Sequence, residues 1–246
     1  MGASDIPFTK QMRKATREIH DVSDALVNAK LAVALSNDSV WAEGLLIFYE
    51  VFRYLEEAMD RLKDTHIGDL KFDGMRRTEG FKEDLDYYLG ENWTETYAPR
   101  ESVMKYLMHL RELESNDPDM LMAYIFHLYM GLLSGGQILR KKRQLVSRYL
   151  PFFSSNSRGD KVTEFGEASI LSLKKQMNTA MNDIAQSLSD EQREKLIEES
   201  KMVFELNNQI IRTVRGTNRV VIKKLVIAAA SIAVISVAFN YLVLRK

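Results

Sequence analysis

A chain of 246 residues in which 46% of side chains are apolar and 28% charged can bury a sizeable core and is too apolar to be disordered. It has no cysteine, which excludes disulfides, thiolate nucleophiles, zinc fingers and iron–sulfur clusters and suits a reducing compartment. The 34 basic and 34 acidic residues balance, yet Arg212, Arg215, Arg219, Lys223, Lys224, Arg245 and Lys246 follow the last acidic residue, leaving −7 on residues 1–211; an acidic body without a basic stripe is no partner for nucleic acid.

Only 4 prolines and 12 glycines punctuate the chain, and no segment alternates convincingly at period two, so an all-α body is expected. Helices are predicted at 9–27, 39–64, 78–90, 100–115, 118–149, 164–188 and 190–215. Pro7, Pro99, Pro118 and Pro151 mark boundaries. Loops remain at 65–77 and 151–163.

The first helix carries two stripes. Met12, Ala15, Ile19, Val22 and Leu26 recur at steps of three and four, the spacing of a core face. Beside them run Arg13, Arg17, His20 and Asp24. Such a row would suit a ligand with a metal to coordinate and an anionic group to hold, Asp24 accepting a hydrogen bond from the imidazole one turn before it. A solvated stripe on an amphipathic helix accounts for the same residues. Within 118–149 the run Tyr129-Met130-Gly131-Leu132-Leu133-Ser134-Gly135-Gly136-Gln137 places three glycines inside a helix, each costing about 1 kcal/mol against alanine. Either a flat ligand lies on bare backbone there, or helices pack tightly or kink. No glycine is followed by lysine, so a phosphate-binding Walker loop is absent, and no Glu-x-x-His pair offers a di-iron site. His66, His109 and His127 are scattered, although His127 lies four residues before Gly131. Arg140, Lys141, Lys142 and Arg143 read as a solvated helix end or as a surface for an acidic partner.

From Leu225 to Leu244 runs a stretch of 20 uncharged residues, about one hydrocarbon thickness as a helix. It is expected to be a carboxyl-terminal transmembrane tail anchor, reached through a basic juxtamembrane segment at 216–224. Five basic residues before it against two after it place the body, residues 1–215, in the cytosol.

Ala15-Thr16-Arg17-Glu18-Ile19-His20 resembles the proximal-ligand segment of haem oxygenases, and Tyr129 to Lys141 resembles their distal-helix signature. The two occur in the family's order, about 110 residues apart. The similarity covers residues 8–215, including Leu55-Glu56-Glu57 and the stretch from Ile197 through Phe204 to Asn207, and the membrane tail is similar to that of the animal enzymes. The resemblance implies a single multi-helix domain that clamps haem, at once substrate and cofactor, between a proximal and a glycine-kinked distal helix. His20 would ligate the iron and Asp24 orient it, with Gly131, Leu132, Gly135 and Gly136 on the catalytic side. Arg13, Arg17, Tyr129, Ser134, Lys174, Asn178, Phe204 and Asn207 would line the haem, with Arg13, Arg17 and Lys174 near its propionates. Electrons from NADPH through NADPH-cytochrome P450 reductase, together with oxygen, would open the ring at a meso carbon and release biliverdin, carbon monoxide and ferrous iron. Biliverdin reductase as a further partner, membrane lipid and the endoplasmic reticulum membrane are implied with it.

The chain departs from that pattern at four places. Leu132 stands where the animal enzymes carry an aspartate, and Leu128 and Phe52 stand where the arginine and tyrosine of the same distal network are found. Asn178 stands at a family arginine that helps fix the in-plane orientation of haem. Relaxed meso regiospecificity is therefore expected, and a catalytically weak haem sensor or carrier is the alternative.

Overall fold

The computed structural model describes residues 6–35, 37–149 and 159–218, with residues 220, 222 and 226. Ten α-helices and no strand occur among them: α1 (Phe8–Ala15), α2 (Arg17–Ala34), α3 (Asp38–Arg61), α4 (Thr78–Leu89), α5 (Trp93–Thr96), α6 (Glu101–Asn116), α7 (Leu121–Gly131), α8 (Gln137–Tyr149), α9 (Ile170–Ser187) and α10 (Asp190–Arg212). Apart from Val226, the expected anchor at 225–244 lies outside the described residues, as do residues 150–158. Among the described residues no helix is long and apolar enough to cross a membrane.

The run Leu121 to Phe126 is apolar at every position, and each of the six residues is at most 1% exposed. A helix without a polar face has to be surrounded. α7 is accordingly the central element, packed by α3, α6, α9 and α10. Burying its tyrosines requires partners for their hydroxyls, and each has one. Tyr124 donates to Glu199 of α10, and Tyr129 donates to Glu56 of α3 at 2.9 Å. Tyr106 of α6 donates to Asn207 Oδ1 at 3.1 Å. Boundaries follow capping chemistry: Asn37 accepts from Val40 N–H, and Ser189 and Gln192 form a reciprocal box at the start of α10.

The predicted helix over 9–27 is kinked at Thr16, whose hydroxyl donates to Met12 O at 2.9 Å, a local bond that bends helices. From Ala15 onward the apolar stripe loses its register with the core. Met12 is fully buried, whereas Ala15 is exposed, Val22 is 55% exposed and Ile19 and Leu26 are half-buried. Helix 118–149 is likewise divided, by a π-helical turn at Leu132–Gly136. The helix expected from 164 begins at Ile170, after Gly166 takes a φ of 57° and Ser169 caps the first turn. Arg143 corrects the reading of the basic run as a solvated helix end. It is 3% exposed, bonded to Asp38 at 2.6 Å and stacked on Trp41 at 4.5 Å.

The segment beneath α8 is fixed by Asp84, whose buried carboxylate accepts the Lys161 and Val162 N–H groups, each at 2.9 Å. Burial is the largest influence on this acid and pushes it up to about 6. Gln137 donates to Thr163 O at 2.7 Å, so this same segment supports the residues that follow the π turn.

Candidate functional site at the junction of α2, α7 and α10

Arg13 lies in the last turn of α1, and Arg17, His20 and Asp24 continue the row along an exposed edge of α2. His20 Nδ1 lies 3.5 Å from Asp24 Oδ2 one turn on, and 51% of the imidazole side chain is exposed. A contact this long between groups open to water contributes little stability; its effect is to orient the ring. The imidazole meets the ring of Phe204 of α10 edge-on, with centroids 5.4 Å apart. His127 of α7 meets the same phenyl at 5.0 Å. Phe204 thus joins three helices and holds an imidazole from each of two of them.

The two histidines stand in opposite environments. His127 is half-buried between Phe126 and Phe204, and its Nε2, itself shut off from solvent, has no hydrogen-bond partner. Burial is the largest influence on it and, with lesser effects from the nearby His20 and Arg13, pushes it down to about 3, so its imidazole is neutral at pH 7. An orphaned buried nitrogen costs about 1–3 kcal/mol and suits a site that a polar ligand completes.

One turn beyond His127 the backbone becomes bare. A Cβ at Gly131 or at Gly135 would meet nothing within 4 Å, and both residues are exposed. Gly136 has a different role. It is buried, and its Cβ would lie 3.0 Å from Leu132 Cδ1 and 3.4 Å from Thr163 Cγ2, so it serves packing of the π turn on the 161–163 segment. π turns of this kind are frequent at functional sites. Ser134 is exposed on the same turn, and Leu132 is half-buried against Gly136.

The three apolar departures all belong to the hydrophobic core or pack against it. Leu128 is 7% and Phe52 3% exposed, and Phe52 packs on Tyr129 at 5.3 Å and on Phe81 at 5.1 Å. Tyr129 itself is fully buried with its hydroxyl committed to Glu56, so it anchors α7 to α3. Thr9 N–H donates to Asn182 at 3.0 Å, tying α1 to α9, the helix that carries Lys174 and Asn178. Lys174 is half-buried, and Asn178 turns its amide back onto Lys174 O at 2.7 Å. Asn207 is occupied by Tyr106.

Sequence reasoning passed over Tyr106 and the pairing of Glu199 with Tyr124 and His109. Aromatic and acidic residues at core spacing give no sign that their polar ends meet across helices. Among the described residues no group of three or more histidine, cysteine or acidic side chains could hold a metal ion. A metal at His20 would have to bring its remaining ligands with it.

Comparison with known proteins agrees with this geometry. A family model described as "Heme oxygenase" matches residues 6–213. The chain is 31% identical over 209 residues to heme oxygenase 2 of Oryctolagus cuniculus, covering 82% of this chain and 64% of that protein. It is 25% identical over 214 residues to heme oxygenase of Rhodella violacea, covering 85% of this chain and 87% of that protein. The structure of heme oxygenase 2 from Chlamydomonas reinhardtii without heme superposes with a TM-score of 0.76 at 29% identity, over 85% of this chain and 98% of that one. For heme oxygenase-1 of Synechocystis in complex with heme the values are 0.79 and 22%, over 92% and 100% of the two chains. The chain spans 64% of the length of the mammalian heme oxygenase 2 relatives it matches.

Proposed function

Because the chain belongs to the haem oxygenase family, we propose that it binds haem at His20 and opens it to biliverdin, carbon monoxide and ferrous iron. The observation that carries this reading is His20 itself: an accessible imidazole oriented by Asp24 and joined through Phe204 to the helix that presents bare backbone at Gly131 and Gly135. Haem, when bound, supplies the iron and the meso carbons at which oxygen reacts.

The side chains then divide the work. Asp24 holds the proton of His20 on Nδ1, which leaves the Nε2 lone pair free for iron. A neutral imidazole suits this chemistry better than a thiolate, which would favour O–O cleavage. Gly131 and Gly135 leave room for a flat ring to approach the backbone. Arg13, Arg17 and Lys174 answer the propionate charges. Leu132, Leu128 and Phe52 put hydrocarbon at these three positions, none of which therefore supplies a carboxylate to order water and deliver protons. Turnover is accordingly slow. With Asn178 turned onto its own helix, one charge-assisted propionate contact is missing, and the in-plane orientation of haem is relaxed.

Oxygen and electrons from NADPH-cytochrome P450 reductase drive the reaction, and biliverdin reductase receives the product. Leu225 to Leu244 anchors the body to the cytosolic face of the endoplasmic reticulum membrane, with membrane lipid as its partner. The test is single turnover of the full chain with haem, reductase and NADPH, followed by chromatography of the bilins. Bilin and carbon monoxide are expected, as a mixture of meso isomers. Pure α isomer would mean that Arg13, Arg17 and Lys174 hold the ring alone. Leu132 favours one competing reading, a haem sensor or carrier, for which haem would persist and no bilin would form.

A further inference from the structure

A cavity of about 350 Å³, in the range of small-ligand pockets, lies between the start of α3, the α4–α5 turn, the start of α6 and Arg215. It shares no residue with the site around His20. About half of its lining surface is apolar, from Leu46 and Ile47 of α3, Leu89 of α4, Trp93 and Tyr97 around α5, and Val103 of α6, and the other half is polar. Trp93 is held in place, since its Nε1 donates to Asp86 at 2.8 Å and its ring packs edge-on against Tyr49 and Tyr97.

The polar side of the cavity is a nearly closed network. Arg100 bonds to Glu43 and donates to Thr213 O at 2.5 Å, and Glu43 also accepts the backbone N–H of Arg215 at 3.1 Å. Glu43 and Arg100 therefore answer each other's charge while fixing the backbone at Arg215. The Arg215 guanidinium has no partner among the described residues, and the lining carries one net positive charge. Arg215 also lies ten residues before Leu225, where the apolar run begins.

We propose that this cavity binds a monoanionic amphiphile, with its chain against Trp93, Tyr97 and Leu46 and its carboxylate or phosphate head on Arg215. The pairing is the one the walls prescribe: apolar surface takes an acyl chain, and one uncompensated guanidinium takes one anionic head.

Trp93 is one of only two tryptophans, so Trp41→Phe leaves it as the sole reporter. The full chain carrying that change, in nanodiscs of zwitterionic lipid, is titrated with 8-bromooctanoate, whose bromine quenches on contact. Saturable quenching is expected. Arg215→Gln, at an exposed position, should weaken it about tenfold or more, and Ala98→Phe, filling the lining from an exposed position, should abolish it. Quenching should be unchanged in His20→Ala, which separates this cavity from the proposed haem site. A second arm omits the soluble probe and uses nanodiscs doped with an anionic phospholipid brominated on its chain. Quenching there that Ala98→Phe removes identifies bilayer lipid as the source, and quenching by the soluble probe alone identifies a free fatty acid. Calorimetric titration of the unsubstituted chain with 8-bromooctanoate gives the same constant without the Trp41 change. Unsaturable quenching, or quenching indifferent to both Arg215→Gln and Ala98→Phe, overturns the proposal.

Discussion

Removing one oxygen atom from Tyr129 should loosen the helix that carries the glycine turn. The hydroxyl donates to Glu56 at 2.9 Å, where the phenol is fully buried and the acid is 2% exposed. Glu56 also accepts the backbone N–H groups of Arg77 and Thr78 and lies 3.4 Å from Arg76, so one carboxylate ties α3, the start of α4 and α7 together. A hydrogen bond to a charged group contributes about 1.5–3 kcal/mol, so Tyr129→Phe is expected to cost about 2 kcal/mol. For a body of this size that lowers Tm by roughly 4–8 °C. Glu56→Gln keeps one acceptor oxygen but turns an N–H toward donors, and is expected to cost about 2–4 kcal/mol. The double variant should show a coupling of about 1–2 kcal/mol, because the two changes remove the same bond. Urea unfolding of the four proteins, followed by far-ultraviolet circular dichroism, supplies the cycle. A Tyr129→Phe cost below about 0.5 kcal/mol, or coupling near zero, would refute the idea that Glu56 fastens α7 through this hydroxyl.

Three further outcomes follow from other parts of the molecule. The hydrogen bond to Glu199 at 2.6 Å is the largest influence on His109 and raises its pKa, so the stability this pair contributes is complete below about pH 6.5 and is lost as pH rises through the raised value. The stability difference between wild type and His109→Gln should therefore shrink from pH 6 to pH 9 in urea titrations, and a constant difference would contradict the pairing. Leu132→Asp should raise the rate of bilin formation by restoring an acid at that position, while Asn178→Arg should leave the rate and shift the isomer mixture toward α; the two effects exchanged would reverse the roles assigned to those positions. Ending the chain at Lys224 should leave a folded body that binds haem, because the contacts of the core close within residues 8–220; loss of the helical signal would show that the apolar run packs inside.

The prolines at element boundaries and the absence of period-two alternation were enough to read the helical order. The glycines of 131–136 announced an irregular turn but not its division of labour. Whether a glycine faces open space, as Gly131 and Gly135 do, or a neighbouring side chain, as Gly136 does, depends on a segment some 25 residues away. The kink at Thr16 was missed because a threonine hydroxyl bonding back four residues looks, in sequence, like any helical threonine. His20 with Asp24 was legible from its spacing. His127 was legible only in its place four residues before Gly131: a histidine in an apolar run reads first as ordinary core, and it is Phe204 that places it beside the site. Arg143 misled in the opposite direction, since its partners Asp38 and Trp41 lie about 100 residues earlier in the chain.

The central claim is that haem iron rests on His20, and resonance Raman spectroscopy of the ferrous, five-coordinate haem complex tests it most directly. Wild type should show an iron–histidine stretching band, weakened in its imidazolate character by Asp24→Ala and lost in His20→Ala. Added imidazole should restore the band to the His20→Ala protein, because the cavity left by the side chain admits the free ligand. A band that persists unchanged in His20→Ala without added imidazole would place the iron on another histidine and contradict the account.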